Sequence, residues 1–295
     1  MNQKIKIAFI INPIAGRRKH KDMAGLISNQ LNKEKFQAFI LETCYGGHAS
    51  ELVHEYLAKG VVHFVAVGGD GTVNEVAREA FKANATLGII PCGSGNGLAR
   101  TLKIPLKAEK AIETINDFLK IKMDVGVINE NYFFCTCGVG FDAKIGKKFA
   151  KQKTRGFSTY VKTTIREYLR YSPKRYKIKI DGVKYARKAL LITIANAGQY
   201  GNNAYIAPNA SLNDGILEVC VLKPFPLIKS IILGIRLFRK SVDKSRYLEI
   251  INGRSIVFKK KKKRQFHIDG EPIKLMGPVK VDVIPSALEV ITPAY

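Results

Sequence analysis

Gly68-Gly69-Asp70-Gly71-Thr72 and, further along, Pro91-Cys92-Gly93-Ser94-Gly95-Asn96-Gly97 are the two stretches from which this chain's architecture can be read. Each follows a short apolar run, Phe64-Val65-Ala66-Val67 and Leu87-Gly88-Ile89-Ile90, that reads as a buried strand. Each then opens onto a helical pattern, at 72–81 and 97–102. A strand, a glycine-rich turn and a helix start together present bare backbone N–H groups to an anion, and the helix dipole adds to the attraction. Two such turns about 20 residues apart fit neighbouring parallel strands joined by one crossover helix. Both would open at the carboxyl edge of one sheet, where ligands of open α/β folds bind. The pair reads as a nucleotide-phosphate site.

Outward from these turns the alternation continues. Residues 5–11 read as a strand, and Asn12-Pro13-Ile14-Ala15-Gly16 as a turn into a basic helix running toward residue 31. A strand at 36–41, a helix at 49–58 and helical spacing over 108–119 complete a doubly wound α/β domain at 1–124. Near Met123 the texture changes and strands dominate, at 123–128, 132–137, 176–180, 189–195, 216–222, 248–251, 255–258, 265–268 and 279–284. Hairpin-like turns stand at Asn129-Glu130-Asn131, Asp181-Gly182 and Asn252-Gly253. Two helical inserts, a basic one at 143–171 and another at 227–238, interrupt them. A second domain at 125–284, a mostly antiparallel β-sandwich, is expected, with 285–295 free to return to the first. The two halves would meet along a cleft, a common place for an active site.

Composition bounds the function. A chain of 295 residues with 46% apolar content suits one large domain or two ordinary ones. The apolar stretch 5–11 is interrupted by Lys6 and followed by Asn12-Pro13, too short for a signal peptide's core. No window approaches the roughly 18–20 apolar residues of a membrane span. The nearest, 224–238, carries Lys229 and Arg236. A cytoplasmic protein is expected. The five cysteines, Cys44, Cys92, Cys135, Cys137 and Cys220, have neither disulfide nor metal-ligand spacing, and Cys135 and Cys137 read as reduced residues beside a sheet. Lys and Arg number 49 against 24 Asp and Glu, a net charge of +25 that implies a polyanionic partner, either nucleic acid or an anionic membrane surface. Glu167 stands alone as an acid among the bases of 144–179, and 259–264 is wholly basic. Either block could equally be a solvated face.

No G-x-x-x-x-G-K-S/T pattern occurs, which excludes a P-loop NTPase. Gly138-Val139-Gly140-Phe141-Asp142-Ala143 fits G-x-G-x-x-A but lacks an acid about 20 residues on to hold a ribose, so it reads as a tight turn. Asp70 is unusual because it places a carboxylate inside a phosphate-cradling turn. Repulsion is relieved if a divalent cation or a proton in transit lies between, so Asp70 reads as a metal-side or base-side residue, or else as a helix cap.

Asn12-Pro13-x-Ala15-Gly16, the GGDGTVNEV run at 68–76 and PCGSGNGLAR at 91–100 resemble the diacylglycerol-kinase catalytic family, which includes soluble bacterial diacylglycerol kinases, sphingosine and ceramide kinases and related bacterial lipid kinases. The resemblance continues through Met123-Asp124-Val125-Gly126, Cys137-Gly138-Val139-Gly140-Phe141-Asp142, Pro208-x-Ala210-x-x-x-Asp214-Gly215-x-Leu217-Glu218-Val219 and Asp269-Gly270-Glu271-Pro272, over essentially the whole chain. It implies an NAD-kinase/phosphofructokinase-like doubly wound sheet followed by a β-sandwich. It implies that Asn12, Pro13, Ile14, Ala15, Gly16, Thr43, Gly68, Gly69, Asp70, Gly71, Thr72, Val73, Asn74 and Ser94, with its neighbours Gly93 and Gly95, hold ATP. It implies a Mg²⁺ held by the Asp214 side chain and the carbonyls of Ser211 and Ile216, oxygen ligands of the kind Mg²⁺ takes. Glu271 becomes the first choice for catalytic base with Asp269 beside it, although Asp269-Gly270 alone would read as a hairpin turn. One departure stands out. Soluble bacterial diacylglycerol kinases usually have Asn-Asp where this chain has Asn96-Gly97, so an aspartate of the metal network is absent and the pattern is nearer to sphingoid-base kinases.

The expectation is an ATP- and Mg²⁺-dependent lipid kinase, docked peripherally on the inner, anionic face of the membrane through its basic surface. Phe225, Leu227, Ile228, Ile231, Leu237 and Phe238 would add an apolar contribution. The acceptor stays open between diacylglycerol, a sphingoid base, ceramide and another amphiphile, and a homodimer stays open too. The rivals are a kinase of a soluble metabolite such as NAD and a nucleic-acid-binding protein on a kinase-like scaffold. The second is disfavoured because no reader motif is present, so no nucleic acid is expected.

Overall fold

Apolar runs too short for helices become parallel strands wherever the chain can cover both their faces. In the computed structural model, which describes residues 3–16, 22–141, 143–144, 166–168, 170–259 and 264–294, this occurs four times near the N-terminus. The chain divides into two units: Met1–Asp124 with Ser286–Tyr295, and Val125–Pro285.

In the first unit, β1 (Ile5–Ile11), β2 (Phe36–Glu42), β3 (His63–Gly68) and β4 (Thr86–Pro91) pair in parallel in the order β2-β1-β3-β4. Phe9, Ile10, Phe64, Val65, Leu87 and Ile90 are wholly buried or nearly so, as strands covered on both sides require. The covering helices are α1 (Met23–Gln30), α2 (His48–Ala58), α3 (Asp70–Lys82), α4 (Gly97–Thr101) and α5 (Ala108–Asp117). α3 buries Val73, Val76, Ala77 and Ala80, spaced i, i+3, i+4 and i+7, while Glu75 and Arg78 between them are only partly buried. α5 stops short of the expected 119 because Phe118 turns left-handed at φ 62°. Its ring packs edge-on against Phe36 and His63 instead of continuing the helix. Residues 286–291 return beside β4, with Val290 paired to Leu87, and Thr292 N–H donates to the Leu119 carbonyl at 2.9 Å.

In the second unit, alternation of inward apolar and outward polar residues builds two antiparallel layers. One sheet runs β12 (Leu248–Gly253), β11 (Leu217–Leu222), β10 (Leu191–Ala195), β7 (Thr136–Gly140), β14 (Arg264–Ile268) and β15 (Glu271–Leu275). The other holds residues 279–285 of β16 (Val279–Ile291), β13 (Ser255–Phe258), β8 (Lys174–Ile180) and β9 (Val183–Ala189). The hairpin of β5 (Lys120–Ile128) with β6 (Asn131–Phe133) joins this second layer. β8 shows the rule plainly: Tyr176, Ile178 and Ile180 are buried, and the lysines between them are not. They form one core with Val139, Ile192, Ile194, Val219 and Phe266 of the facing sheet, where Phe258 and Phe266 meet edge-on at 5.3 Å.

The expected strand at 132–137 is split, because the N–H groups of Phe134, Cys135 and Thr136 turn toward Asp269 rather than a neighbouring strand. The expected strand at 189–195 is the end of β9 followed by β10, with the break at Leu190. α6 (Lys229–Phe238) follows β11. All five cysteines are free. Among the described residues no helix is long and apolar enough to cross a membrane. Part of the basic segment after Gly16 (17–21), Asp142, most of the basic insert (145–165 and 169) and 260–263 of the lysine block lie outside the described residues.

Candidate active site

Four parallel strands end on one edge of the first unit's sheet, and four of the stretches singled out from the sequence follow them: Asn12 after β1, Thr43 after β2, Gly68 at the end of β3 and Pro91 at the end of β4. In the order β2-β1-β3-β4 the winding reverses between β1 and β3, and such a reversal leaves a crevice at the carboxyl edge. Asn12 spans it. Its Nδ2 donates to Thr72 Oγ1 at 3.1 Å, its Oδ1 accepts from Ile14 N–H at 3.1 Å, and its own N–H donates to the Val67 carbonyl at 2.9 Å. The Pro13-Ile14-Ala15-Gly16 turn is thereby tied to the first turn of α3, and Ile14 is left exposed. Thr43 N–H donates to the Ile11 carbonyl at 2.8 Å, which holds the end of β2 beside β1.

The two glycine turns interlock. Asp70 accepts from Asn96 N–H at 2.9 Å and from Gly97 N–H at 2.7 Å, so an acid in the first turn caps the short helix that follows the second. A Cβ on Gly93 would lie 2.6 Å from Gly69 Cα, and one on Gly95 would lie 2.5 Å from Asp70 Oδ2. At Gly93 backbone packs on backbone, and at Gly95 the space is filled by the Asp70 carboxylate. Asn96 sits in the left-handed region at φ 52° and donates from Nδ2 to the Gly93 carbonyl at 2.8 Å, while Arg100 Nε donates to the Gly95 carbonyl at 3.0 Å. Both stand in the stretch 91–100 quoted from the sequence, where neither carries these roles; for Asn96 an asparagine between glycines, tolerant of positive φ, is the available signal.

What this leaves free decides the chemistry. α3 has no side-chain cap, and the N–H groups of Gly69 to Thr72 and of Gly93 to Gly95 find no acceptor among the described residues. Nothing lies within 4 Å of where a Gly71 Cβ would be, and Gly71 and Ser94 are exposed. A concave set of unpaired N–H groups at a helix start fits the oxygens of a polyphosphate. Val73 and Asn74, also expected near ATP, are buried in α3.

In the second unit, Asp269 and Gly270, at φ 47° and 88°, form the two-residue turn between β14 and β15, closed by the pair Ile268 and Glu271. Asp269 is half-buried and accepts from Phe134 N–H at 2.8 Å, Cys135 N–H at 2.8 Å and Thr136 N–H at 2.7 Å. Burial pushes its carboxyl up, the three N–H groups and nearby His267 pull it down, and the balance falls at about 6. Both oxygens are engaged by backbone. Glu271, at the start of β15, is exposed.

Asp214 is exposed and accepts from Ile216 N–H at 3.0 Å, while Ser211 Oγ donates to Asn213 Oδ1 at 2.8 Å. Glu218 nearby is buried with Oε2 unpartnered, and burial first, then Asp214 and Asp243, raise its carboxyl. Among the described residues no three acidic, histidine or cysteine side chains are placed to hold one metal ion. The donor chemistry suits a hard cation, and the side-chain geometry offers it one exposed carboxylate.

Residues 6–128 match the diacylglycerol kinase catalytic domain, and residues 135–292 match the YegS C-terminal NAD kinase β sandwich-like domain. The diacylglycerol kinase of Bacillus subtilis is 26% identical, over 89% of this chain and 88% of its own. The protein called "Probable lipid kinase YegS-like" of Serratia proteamaculans is 28% identical, over 94% of this chain and 91% of its own. The crystal structure of a diacylglycerol kinase from Bacillus anthracis superposes with a TM-score of 0.74, covering 99% of this chain and 98% of that one at 22% identity, a likeness of fold. The chain thus belongs to the lipid kinase family in which a diacylglycerol kinase catalytic domain precedes a YegS-type β-sandwich domain.

Proposed function

We propose that this protein transfers the γ-phosphoryl group of ATP to the hydroxyl of a membrane lipid. The observation that carries the reading is the pair of interlocked glycine turns, whose N–H groups find no acceptor among the described residues, at the carboxyl edge of the parallel sheet in a chain of the lipid kinase family. The Asn12–Gly16 turn, Thr43, the Gly68–Asn74 segment and Gly93-Ser94-Gly95 would hold the triphosphate, with Asp70 keeping the turns in register. Phosphoryl transfer needs positioning and charge neutralisation more than covalent help. As the lipid oxygen bonds to phosphorus, the bond from the γ-phosphorus to the ADP oxygen breaks. The hydroxyl proton passes to Glu271, whose turn is braced by Asp269. Mg²⁺ would neutralise phosphate charge, and Asp214 with the carbonyls of Ser211 and Ile216 is the protein's own oxygen set for such an ion.

The test is incubation of the purified protein with labelled ATP, Mg²⁺ and a total lipid extract, followed by mass identification of the labelled species. One chloroform-soluble phosphorylated lipid is expected, and it names the acceptor among diacylglycerol, a sphingoid base and ceramide. Label appearing only in a water-soluble metabolite such as NADP would replace this reading with that of a metabolite kinase.

A further inference from the structure

α6 is built the wrong way round for an ordinary surface helix. Leu233 is only 6% exposed and packs with Ile206, Cys220, Val242 and Leu248, with Leu237 partly buried beside them. A helix anchored in this way normally turns polar residues outward. Here Ile228 is 72% exposed, Ile231 65% and Ile235 49%, and Ile232 and Phe238 are exposed as well. Positions 228, 231, 232, 235 and 238 follow i, i+3, i+4, i+7 and i+10, so they form one continuous apolar stripe along the outer face. Of the apolar residues picked out from the sequence, Phe225 instead stacks on Tyr168 at 5.1 Å and Leu237 faces inward, while Ile232 and Ile235 take their place.

The charges along this helix carry one sign. Between residues 227 and 240 the ionised side chains are Lys229, Arg236, Arg239 and Lys240, with no acid among them. None has a carboxylate partner among the described residues; Lys240 rests over the Tyr205 ring at 4.4 Å. A second copy of this chain would cover the stripe only by setting these bases near their own counterparts, on a molecule that already carries +25. A nucleic acid would satisfy the bases and leave the isoleucines against water or phosphate. An anionic bilayer satisfies both at once: aliphatic side chains enter the boundary between headgroups and acyl chains, and the bases remain at the phosphates.

We propose that α6 is an in-plane membrane-docking helix for a surface containing anionic phospholipid. The proposal rests on the lipid kinase reading for its purpose, since an enzyme acting on a bilayer-bound hydroxyl has to settle on the bilayer. Its physical basis is the stripe and its bases, none of which is a residue assigned to ATP.

The test is co-sedimentation of the purified protein with phosphatidylcholine vesicles and with vesicles in which about a third of the lipid is phosphatidylglycerol. Partitioning onto the anionic vesicles is expected to exceed that onto neutral ones by roughly tenfold or more and to fall with added salt. The double substitution Ile231→Gln with Ile235→Gln should weaken it on the order of 10- to 100-fold, since two side chains lose their apolar transfer. Its melting temperature should be kept, because both positions face solvent. Ile228→Gln alone, ahead of the helix, should weaken partitioning in the same direction without touching a helical residue. Phosphorylation of a water-soluble short-chain acceptor should be unchanged in these variants while phosphorylation of a vesicle-borne acceptor falls. Vesicle binding is measured without ATP, so failure of the kinase reading leaves its outcome intact. Parent and variants that partition equally would overturn the proposal. So would a parent that ignores vesicles and instead sediments as a dimer that the double substitution dissociates, or one that binds single-stranded DNA tightly and vesicles not at all.

Discussion

Asp70 and Asp269 both direct their carboxylates at backbone N–H groups far away in sequence, and this fixes what their substitution should do. Asp70→Asn keeps the shape but turns an NH₂ toward Asn96 N–H or Gly97 N–H, so the two glycine turns lose a charge-assisted link. The protein should stay folded, with a stability loss of about 1–3 kcal/mol. ATP-dependent phosphorylation should fall on the order of 10²–10³-fold, as when one preorganised electrostatic contact is removed. Near-parental turnover with an unchanged melting temperature would reduce Asp70 to a dispensable cap. Asp269 makes a prediction about pH. Its folded carboxyl, at about 6, lies above the ordinary value of 3.8, so the folded form binds the proton more tightly. Stability from this group is therefore full below the ordinary value, declines as pH rises toward about 6, and stays lower above it, a change on the order of 3 kcal/mol. Asn does not titrate there. The gap between parent and Asp269→Asn, followed by urea unfolding, should accordingly shrink between about pH 4 and 6. A gap that widens with pH would mean that the three N–H donors outweigh burial.

At the scale of elements, the glycine turns work because backbone meets backbone, and the individual glycines are not equivalent. Gly71 lies in the first turn of α3 with nothing within 4 Å of a Cβ, whereas Gly93 has no such room. Gly71→Ala should stabilise α3 through helix propensity, by up to about 1 kcal/mol, while placing a methyl group beside the unpaired N–H groups of the proposed phosphate site. Titration calorimetry should then show weaker ATP binding by a more stable protein. Unchanged ATP affinity would place the nucleotide elsewhere. The parallel strands and α3 were legible in the sequence because an apolar run or a 3.6-residue stripe is a local signal. β9 was not: Val183–Ala189 is largely exposed, and its lysines break the apolar pattern by which strands are recognised. Nor were the partners of Asp269, since a carboxylate engaging N–H groups more than a hundred residues away leaves no local trace. The glycines of the site could be seen from their spacing, but the interlock that makes Gly93 and Gly95 obligatory is a contact between two turns.

At the scale of the whole molecule, the chain passes from the first unit to the second after Asp124 and returns at Ser286. β16 is where it returns. Residues 279–282 pair with β13 in the second unit, and in the first unit Val290 pairs with Leu87 of β4. The sequence hid the second half of this strand because Pro285 interrupts the alternation, and Ser286 adopts a left-handed φ of 50° before the strand resumes. The first unit consequently depends on the far end of the chain. Leu288, Val290 and Ile291 are at most 1% exposed, Glu289 accepts from Thr86 Oγ1 at 2.6 Å and Lys120 Nζ at 2.8 Å, and Ser286 N–H donates to Asp124 Oδ1 at 2.7 Å. Three buried aliphatic side chains at about 1.5–3 kcal/mol each are worth roughly 5–9 kcal/mol before chain entropy is counted against them. That is comparable to the whole net stability of a domain. Truncation after residue 285 should therefore unfold the first unit: cooperative melting of that unit is lost, and limited proteolysis cuts within residues 3–124 while the sandwich survives longer. Truncation after Thr292, which keeps every one of these contacts, should melt within a few degrees of the parent. If the shorter protein melted there too, the final strand would be an ornament on a sheet that β1 to β4 complete by themselves.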